Sequence, residues 1–123
     1  MGLSKKENKM RILLSIMILL LVAGIAKAEV FYSDQKICNA IWYVEGQEKA
    51  NQYYGINPKY VKCDSKEECY NVCVKTVAKW RKVYNLREYT HYKDFLTFLS
   101  YKYCPPNHVI WLKNLNFYLR KLK

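Results

Sequence analysis

Cys69, Cys73, Val77, Trp80 and Tyr84 follow one another at intervals of four, four, three and four residues, the repeat of one face of an α-helix. Directly before them, Ser65-Lys66-Glu67-Glu68 has the form of a capping box. Its hydroxyl serves an amide of the first turn, and its carboxylate reaches back to the helix start. A long helix is therefore expected to about Tyr84, with Lys75, Lys79 and Lys82 on its outer side. A stripe of that length needs partners to cover it.

The rest of the chain supplies further helices. Ser33 or Asp34 can cap one over about residues 34–45, with Ile37, Cys38, Ile41 and Trp42 facing inward. After a connector from Asn85 to Tyr89, Thr90 can cap another, with Tyr92, Phe95, Leu96, Leu99 and Tyr103 inside. Cys104-Pro105-Pro106 stops it, because proline has no amide proton and clashes with the preceding turn. Asn107 can cap a last helix with the stripe Trp111, Leu112, Leu115, Tyr118, Leu119 and Leu122. Its end carries Arg120, Lys121 and Lys123, which suit the negative end of the helix dipole. Residues 46–64 have no helical period and are punctuated by Gly55, Asn57 and Pro58, so an extended loop or short hairpin is expected there. The expected fold class is all-α: a small, disulfide-stapled helical domain with an irregular insert after helix one.

Ahead of this domain, Lys5, Lys6, Lys9 and Arg11 lead into an apolar run from Ile12 to Ala26. Ala26-Lys27-Ala28 then puts small residues at the positions a signal peptidase reads. The run is shorter than the roughly 20 residues that span a bilayer comfortably. A cleaved signal peptide over residues 1–28 and a single domain over 29–123 are the expectation. Export to the periplasm or the medium follows, with no membrane span left after cleavage. The formal charge is +11, from 21 Lys and Arg against 10 Asp and Glu. It favours an anionic partner such as a cell-wall polymer, a membrane surface or a nucleic acid. Export argues against nucleic acid, and solvated lysines on amphipathic helices account for the Lys–Tyr pattern between Tyr84 and Lys102.

All five cysteines (38, 63, 69, 73 and 104) follow the cleavage point. In an exported chain they are expected to form disulfides. An odd number allows at most two bridges, with one thiol free or paired between chains. The expected set is Cys73 with Cys104, joining two helices, and a second bridge among Cys38, Cys63 and Cys69. There is no Cys-x-x-Cys pair and the spacing does not suit the usual zinc ligands, so no metal is expected. No Gly-rich phosphate loop or other feature calls for a cofactor. His91 and His108 are the only histidines. A Cys104–His108 dyad would need a free, oriented thiol, whereas Cys104 makes the better bridge half.

One carboxyl stands out. The inward positions of the first helix step from Cys38 through Ile41 and Trp42 to Glu45, and Gly46 is a natural stop. Acids rarely sit on a buried stripe without a partner or a task. In the last helical turn the backbone carbonyls make the potential negative. Burial and that potential both disfavour a charged carboxyl, the condition a general acid needs. The plainer alternative is an acid that snorkels to solvent at a frayed helix end.

Ile41-Trp42-Tyr43-Val44-Glu45-Gly46, followed by Tyr53-Tyr54-Gly55-Ile56, resembles the lysozyme-like superfamily, especially bacterial lytic transglycosylases and related small peptidoglycan-cleaving proteins. Their catalytic glutamate ends a helix and faces a cleft, with an aromatic-rich turn after it. Asp94-Phe95-Leu96-Thr97-Phe98-Leu99, Tyr103-Cys104-Pro105 and Trp111-Leu112-Lys113-Asn114-Leu115 look like the closing helices of such domains. The resemblance covers most of residues 34–119 as a pattern of elements. The Gly-Leu-Met-Gln run of typical transglycosylases is absent, and Gly46 is followed by Gln47.

The resemblance implies that Glu45 donates a proton to the bond between N-acetylmuramic acid and N-acetylglucosamine. Ordinary glycosidases use a second carboxylate. In the transglycosylase type the sugar's own acetamido and 6-hydroxyl groups complete the reaction. Glu48 and Asp64 are the candidates for a second acid, and both also fit plain surface charges. Tyr53 and Tyr54 would line the sugar cleft by stacking, or else pack over the helix end. Asn57 would orient a water or a sugar amide, or else serve as the turn residue before Pro58.

Two functions follow. One is an exported peptidoglycan-cleaving glycosidase or lytic transglycosylase bound to peptidoglycan or another anionic wall polymer. The other is a non-catalytic secreted helical module that binds an anionic cell surface or a protein. A buried Glu45 facing an open groove favours the first. A Glu45 paired with a lysine, or out in solvent, favours the second.

Overall fold

The computed structural model of the chain describes residues 4–26, 30–87 and 91–122. It divides into two compact units, Met1–Phe31 and Tyr32–Lys123. The expected cleavage point after Ala28 lies outside the described residues, as do Thr90 and the end of the expected connector.

The first unit holds helix α1, Lys5–Ala26. Ser4 and Glu7 start it reciprocally: the Glu7 amide donates to Ser4 Oγ at 3.3 Å and the Ser4 amide to Glu7 Oε2 at 3.1 Å. Among the described residues, no helix is long and apolar enough to cross a membrane.

The second unit is all-helical, with α2 (Asp34–Val44), α3 (Lys66–Arg87), α4 (Phe95–Tyr103) and α5 (His108–Lys121). No strand occurs among its described residues. α2 packs on α3 and α5, and α4 packs on the same two, so four helices close around one core. Ser33 caps α2, its hydroxyl accepting from the Lys36 amide at 3.1 Å. Ser65 caps α3 by accepting from the Glu68 amide at 3.1 Å. Glu68 returns its carboxylate to the Asp64 amide at 2.9 Å, one residue before the expected partner.

The core takes Ile37, Cys38, Ile41 and Trp42 from α2, Cys73 and Val77 from α3, and Trp111, Leu115 and Leu119 from α5. Arg81 ties the start of α2 to α3. Its Nε donates to Asp34 at 2.8 Å, its Nη2 donates to the Tyr32 carbonyl at 2.7 Å, and its guanidinium lies over Phe95.

Two elements differ from expectation. α4 starts at Phe95, where Asp94 accepts from the Thr97 amide at 2.8 Å and the Thr97 hydroxyl at 2.7 Å. That later start turns Phe98 and Ser100 into the core and leaves Leu96 half-buried. Residues 46–64 form the expected irregular insert, but a compact one rather than an extended loop, and no hairpin. They carry two 3-10 turns, Gln47–Lys49 and Tyr53–Gly55, which fold the segment back onto α2 and α3. Asn107 stands at the N-terminus of α5 without a side-chain capping bond.

Of the two expected bridges one forms. Cys63 is bonded to Cys69, within the expected set of Cys38, Cys63 and Cys69, and this bridge of sequence separation 6 fixes the entry of α3. Cys73 and Cys104 are not joined, and both are free thiols together with Cys38. The reason is the orientation at the end of α4. Tyr103 turns inward there, with its hydroxyl 3.6 Å from Cys73 Sγ, while the neighbouring Cys104 sits half-exposed. Cys104 is the C-cap of α4, with φ -141 and ψ 69, so the backbone has already left the helix and its side chain does not continue the face that Tyr103 turns to α3. Cys73 is instead buried with Cys38 of α2, and its proximity pushes the Cys38 thiol up.

Candidate active site

Glu45 is the C-terminal cap of α2, and its amide still donates to the Ile41 carbonyl at 2.9 Å. Gly46 follows at φ 105, a left-handed conformation that ends the helix without the penalty a Cβ would bring. The Glu45 side chain is half-buried. Its Oε1 accepts from the indole Nε1 of Trp111 on α5 at 2.9 Å.

The other side of the carboxyl is covered by backbone. Gly55 has φ +66, and a Cβ built on it would lie 2.7 Å from Glu45 Cδ, 2.8 Å from Oε1 and 2.9 Å from Oε2. The carboxyl therefore rests against bare glycine, which no other residue could replace without moving it. Tyr54, just before, is also left-handed at φ 58, an uncommon state for a residue with a bulky side chain. Its carbonyl accepts a short hydrogen bond from the Tyr103 hydroxyl. Tyr103 in turn stacks on Trp111, with centroids 5.1 Å apart and planes at 20°. The circuit runs from Glu45 to Trp111, Tyr103, Tyr54, Gly55 and back. It locks the turn of residues 53–55 over the end of α2.

The Tyr103 hydroxyl is held well above its ordinary range, first by burial and then by Cys73, Cys38 and Glu45. It therefore stays a protonated donor at neutral pH.

Beside this circuit lies a groove of about 440 Å³. Gly55, Ile56 and Asn57 form one wall, and Trp80, Lys102 and Tyr103 line it from α3 and α4. Gly55 and Tyr103 thus belong both to the groove and to the setting of Glu45, whereas Glu45 itself is not among the residues that line the groove. No lysine pairs with Glu45 among the described residues.

The other expected site residues are dispersed. The Tyr54 ring is buried between Trp42 and Tyr70, with centroids 5.1 and 5.9 Å away. Tyr53 is half-buried, packs on Trp42 at 5.7 Å and borders a separate hollow with Asp64. Asn57 reaches the groove, but its Oδ1 also accepts from the Lys59 amide at 2.9 Å, which makes a turn. Glu48 pairs with Lys66 at 3.6 Å on the exposed side. His108 stacks on Tyr101 at 3.9 Å, and its Nδ1 lies 3.2 Å from the Pro105 carbonyl. Among the described residues, no three His, Cys, Asp or Glu side chains gather as a metal site.

Trp111 and Tyr103 were legible only as packing residues. The signal that joins Trp111 to Glu45 is chemical: a buried indole N–H needs an acceptor, and an acid on a facing stripe needs a donor.

No protein family, curated protein or solved structure matches the chain. What fold and site define is a four-helix, disulfide-clasped domain with a helix-end glutamate set beside an aromatic groove.

Proposed function

We propose that the chain is an exported glycan-cleaving protein of the lysozyme-like kind, a peptidoglycan glycosidase or lytic transglycosylase with Glu45 as its general acid. The observation that carries the reading is the setting of Glu45. Its carboxyl closes a helix, meets one fixed donor in Trp111 and rests on Gly55, a residue of the groove wall. The lysine-rich start, the apolar run and Ala26-Lys27-Ala28 support export.

The chemistry assigned to these residues is simple. Protonated Glu45 donates to the glycosidic oxygen as an oxocarbenium-like centre develops. Trp111 donates to one carboxyl oxygen, which leaves the other to hold the transferable proton and fixes the direction in which it is delivered. Glu48 is engaged by Lys66, so the reading keeps a single acid and relies on the sugar's own acetamido or 6-hydroxyl group.

The test is turnover of purified peptidoglycan by the purified, oxidised protein and by Glu45→Gln, with products read by mass spectrometry. Muropeptides released by the parent and not by the folded variant are expected, and reducing or anhydro ends name the reaction. Wall binding without release by either protein would sink the catalytic reading in favour of the binding module.

A further inference from the structure

The groove contains an unusual charge arrangement. Lys79 from α3 and Lys102 from α4 both line it. Their ammonium groups lie 5.0 and 5.1 Å from the centroid of one indole ring, that of Trp80. Neither lysine has a carboxylate within ion-pair distance among the described residues. None of the residues lining the groove is acidic. Two cations thus lie over a half-exposed tryptophan, Lys102 also 5.5 Å from the centroid of Phe98, so aromatic faces rather than carboxylates offset them. An anion in the groove would be drawn to both.

The remaining lining fits a sugar better than a bare ion. Trp80, Tyr60 and Tyr103 offer flat apolar faces. Thr76 and Asn57 add hydroxyl and amide groups. The volume, about 440 Å³, falls in the range of small-ligand clefts, about 300–1,000 Å³.

We propose that this groove binds a carboxylate-bearing glycan, with Lys79 and Lys102 reading the carboxylate and Trp80 the sugar face. The proposal rests on the reading of Glu45 as a glycan-cleaving acid for its choice of sugar as ligand, while the anion site rests on the groove itself. It makes a neutral glycan of the same length a poor ligand, and places the charged sugar next to the Gly55 wall that seats Glu45.

The test is calorimetric titration in the Glu45→Gln background, where nothing is cleaved. The probes are the disaccharide of N-acetylglucosamine and N-acetylmuramic acid, its methyl ester, and inorganic phosphate as competitor. The free acid is expected to bind more tightly than the ester, with each lysine worth about fivefold. Lys79→Gln with Lys102→Gln should erase the difference and leave ester binding unchanged, and added salt should shrink it. Both lysines are exposed, so the variants keep the fold. Equal binding of acid and ester, binding of neither, or an unchanged difference in the double variant would overturn the proposal. So would displacement of the disaccharide by phosphate at the disaccharide's own concentration, the mark of an unspecialised anion site. The two readings separate cleanly. Discrimination without wall turnover by the parent sinks catalysis and keeps the site; turnover without discrimination does the reverse.

Discussion

Trp111 Nε1 donates to Glu45 Oε1 at 2.9 Å, joining the end of α2 to α5 across 66 residues of chain. This bond, with the Gly55 contact, makes Glu45 a structural acceptor as well as the candidate acid. Trp111→Phe removes the donor and keeps most of the buried ring. We expect a loss of about 1 kcal/mol, the low end for stranding a hydrogen-bonding partner, because Glu45 is only half-buried. Denaturant midpoints measure it, and an unchanged midpoint would show that water replaces the indole.

Gly55→Ala should cost more than its backbone strain alone. The position has φ +66, and the added methyl meets the Glu45 carboxyl at 2.7–2.9 Å. Strain of this kind costs on the order of 1 kcal/mol or more. The clash part disappears if the carboxyl is removed. Gly55→Ala is therefore expected to destabilise the parent more than it destabilises Glu45→Ala, and a double-mutant cycle reads the difference.

The thiols should separate into two classes. The neighbouring Cys73 side chain first, and burial second, push the Cys38 thiol far above its ordinary range, and neither residue is exposed. Cys104 is half-exposed. A thiol reagent at neutral pH should find one fast-reacting group in the native oxidised protein and two more only on unfolding. Cys104→Ser should abolish the fast phase. Two fast groups would mean that the α2–α3 contact opens readily.

Replacing Cys63 and Cys69 together by serine removes the bridge of sequence separation 6. Chain entropy for so short a ring puts the loss at about 2 kcal/mol. The effect should appear in thermal unfolding, with far-UV circular dichroism of the native state unchanged.

Alkaline pH should weaken the fold in a defined window. Burial, then Cys73, Cys38 and Tyr70, push Tyr54 from 10.0 up to about 12. Tyr103 is also raised well above its ordinary value, first by burial. Between those values the folded protein holds phenol protons that the unfolded chain has lost, so unfolding free energy falls as pH rises. Below pH 10, the unperturbed value, these groups give no slope and their full contribution is present. Denaturant midpoints across the window measure the decline, and Tyr103→Phe should make it shallower.

The helices were readable because each carries its own punctuation. Ser33 and Ser65 cap as their positions suggest, and the Cys73–Val77 stripe is buried where the spacing puts it. α4 was misjudged because Asp94 outcompetes an upstream start, and the later start turns Phe98 inward. The turn at residues 53–55 was hidden for a different reason. A left-handed tyrosine at position 54 has no local signal; it is held by Tyr103, which lies 49 residues away. The Cys73–Cys104 pairing failed on a one-residue difference in facing, which spacing alone does not resolve. Glu45 was legible as an oddity on its stripe, but its partners Trp111 and Gly55 come from segments whose own patterns speak only of packing and turning.

The dual engagement of Glu45 has an evolutionary consequence. Glutamine at position 45 keeps an oxygen for the Trp111 indole and the same shape against Gly55. If Glu45 is the acid proposed above, a lineage in which cleavage stops being useful could lose it in a single substitution and keep an intact module. The way back is equally short. A screen for folded protein should pass Glu45→Gln, while a screen for wall turnover should reject it.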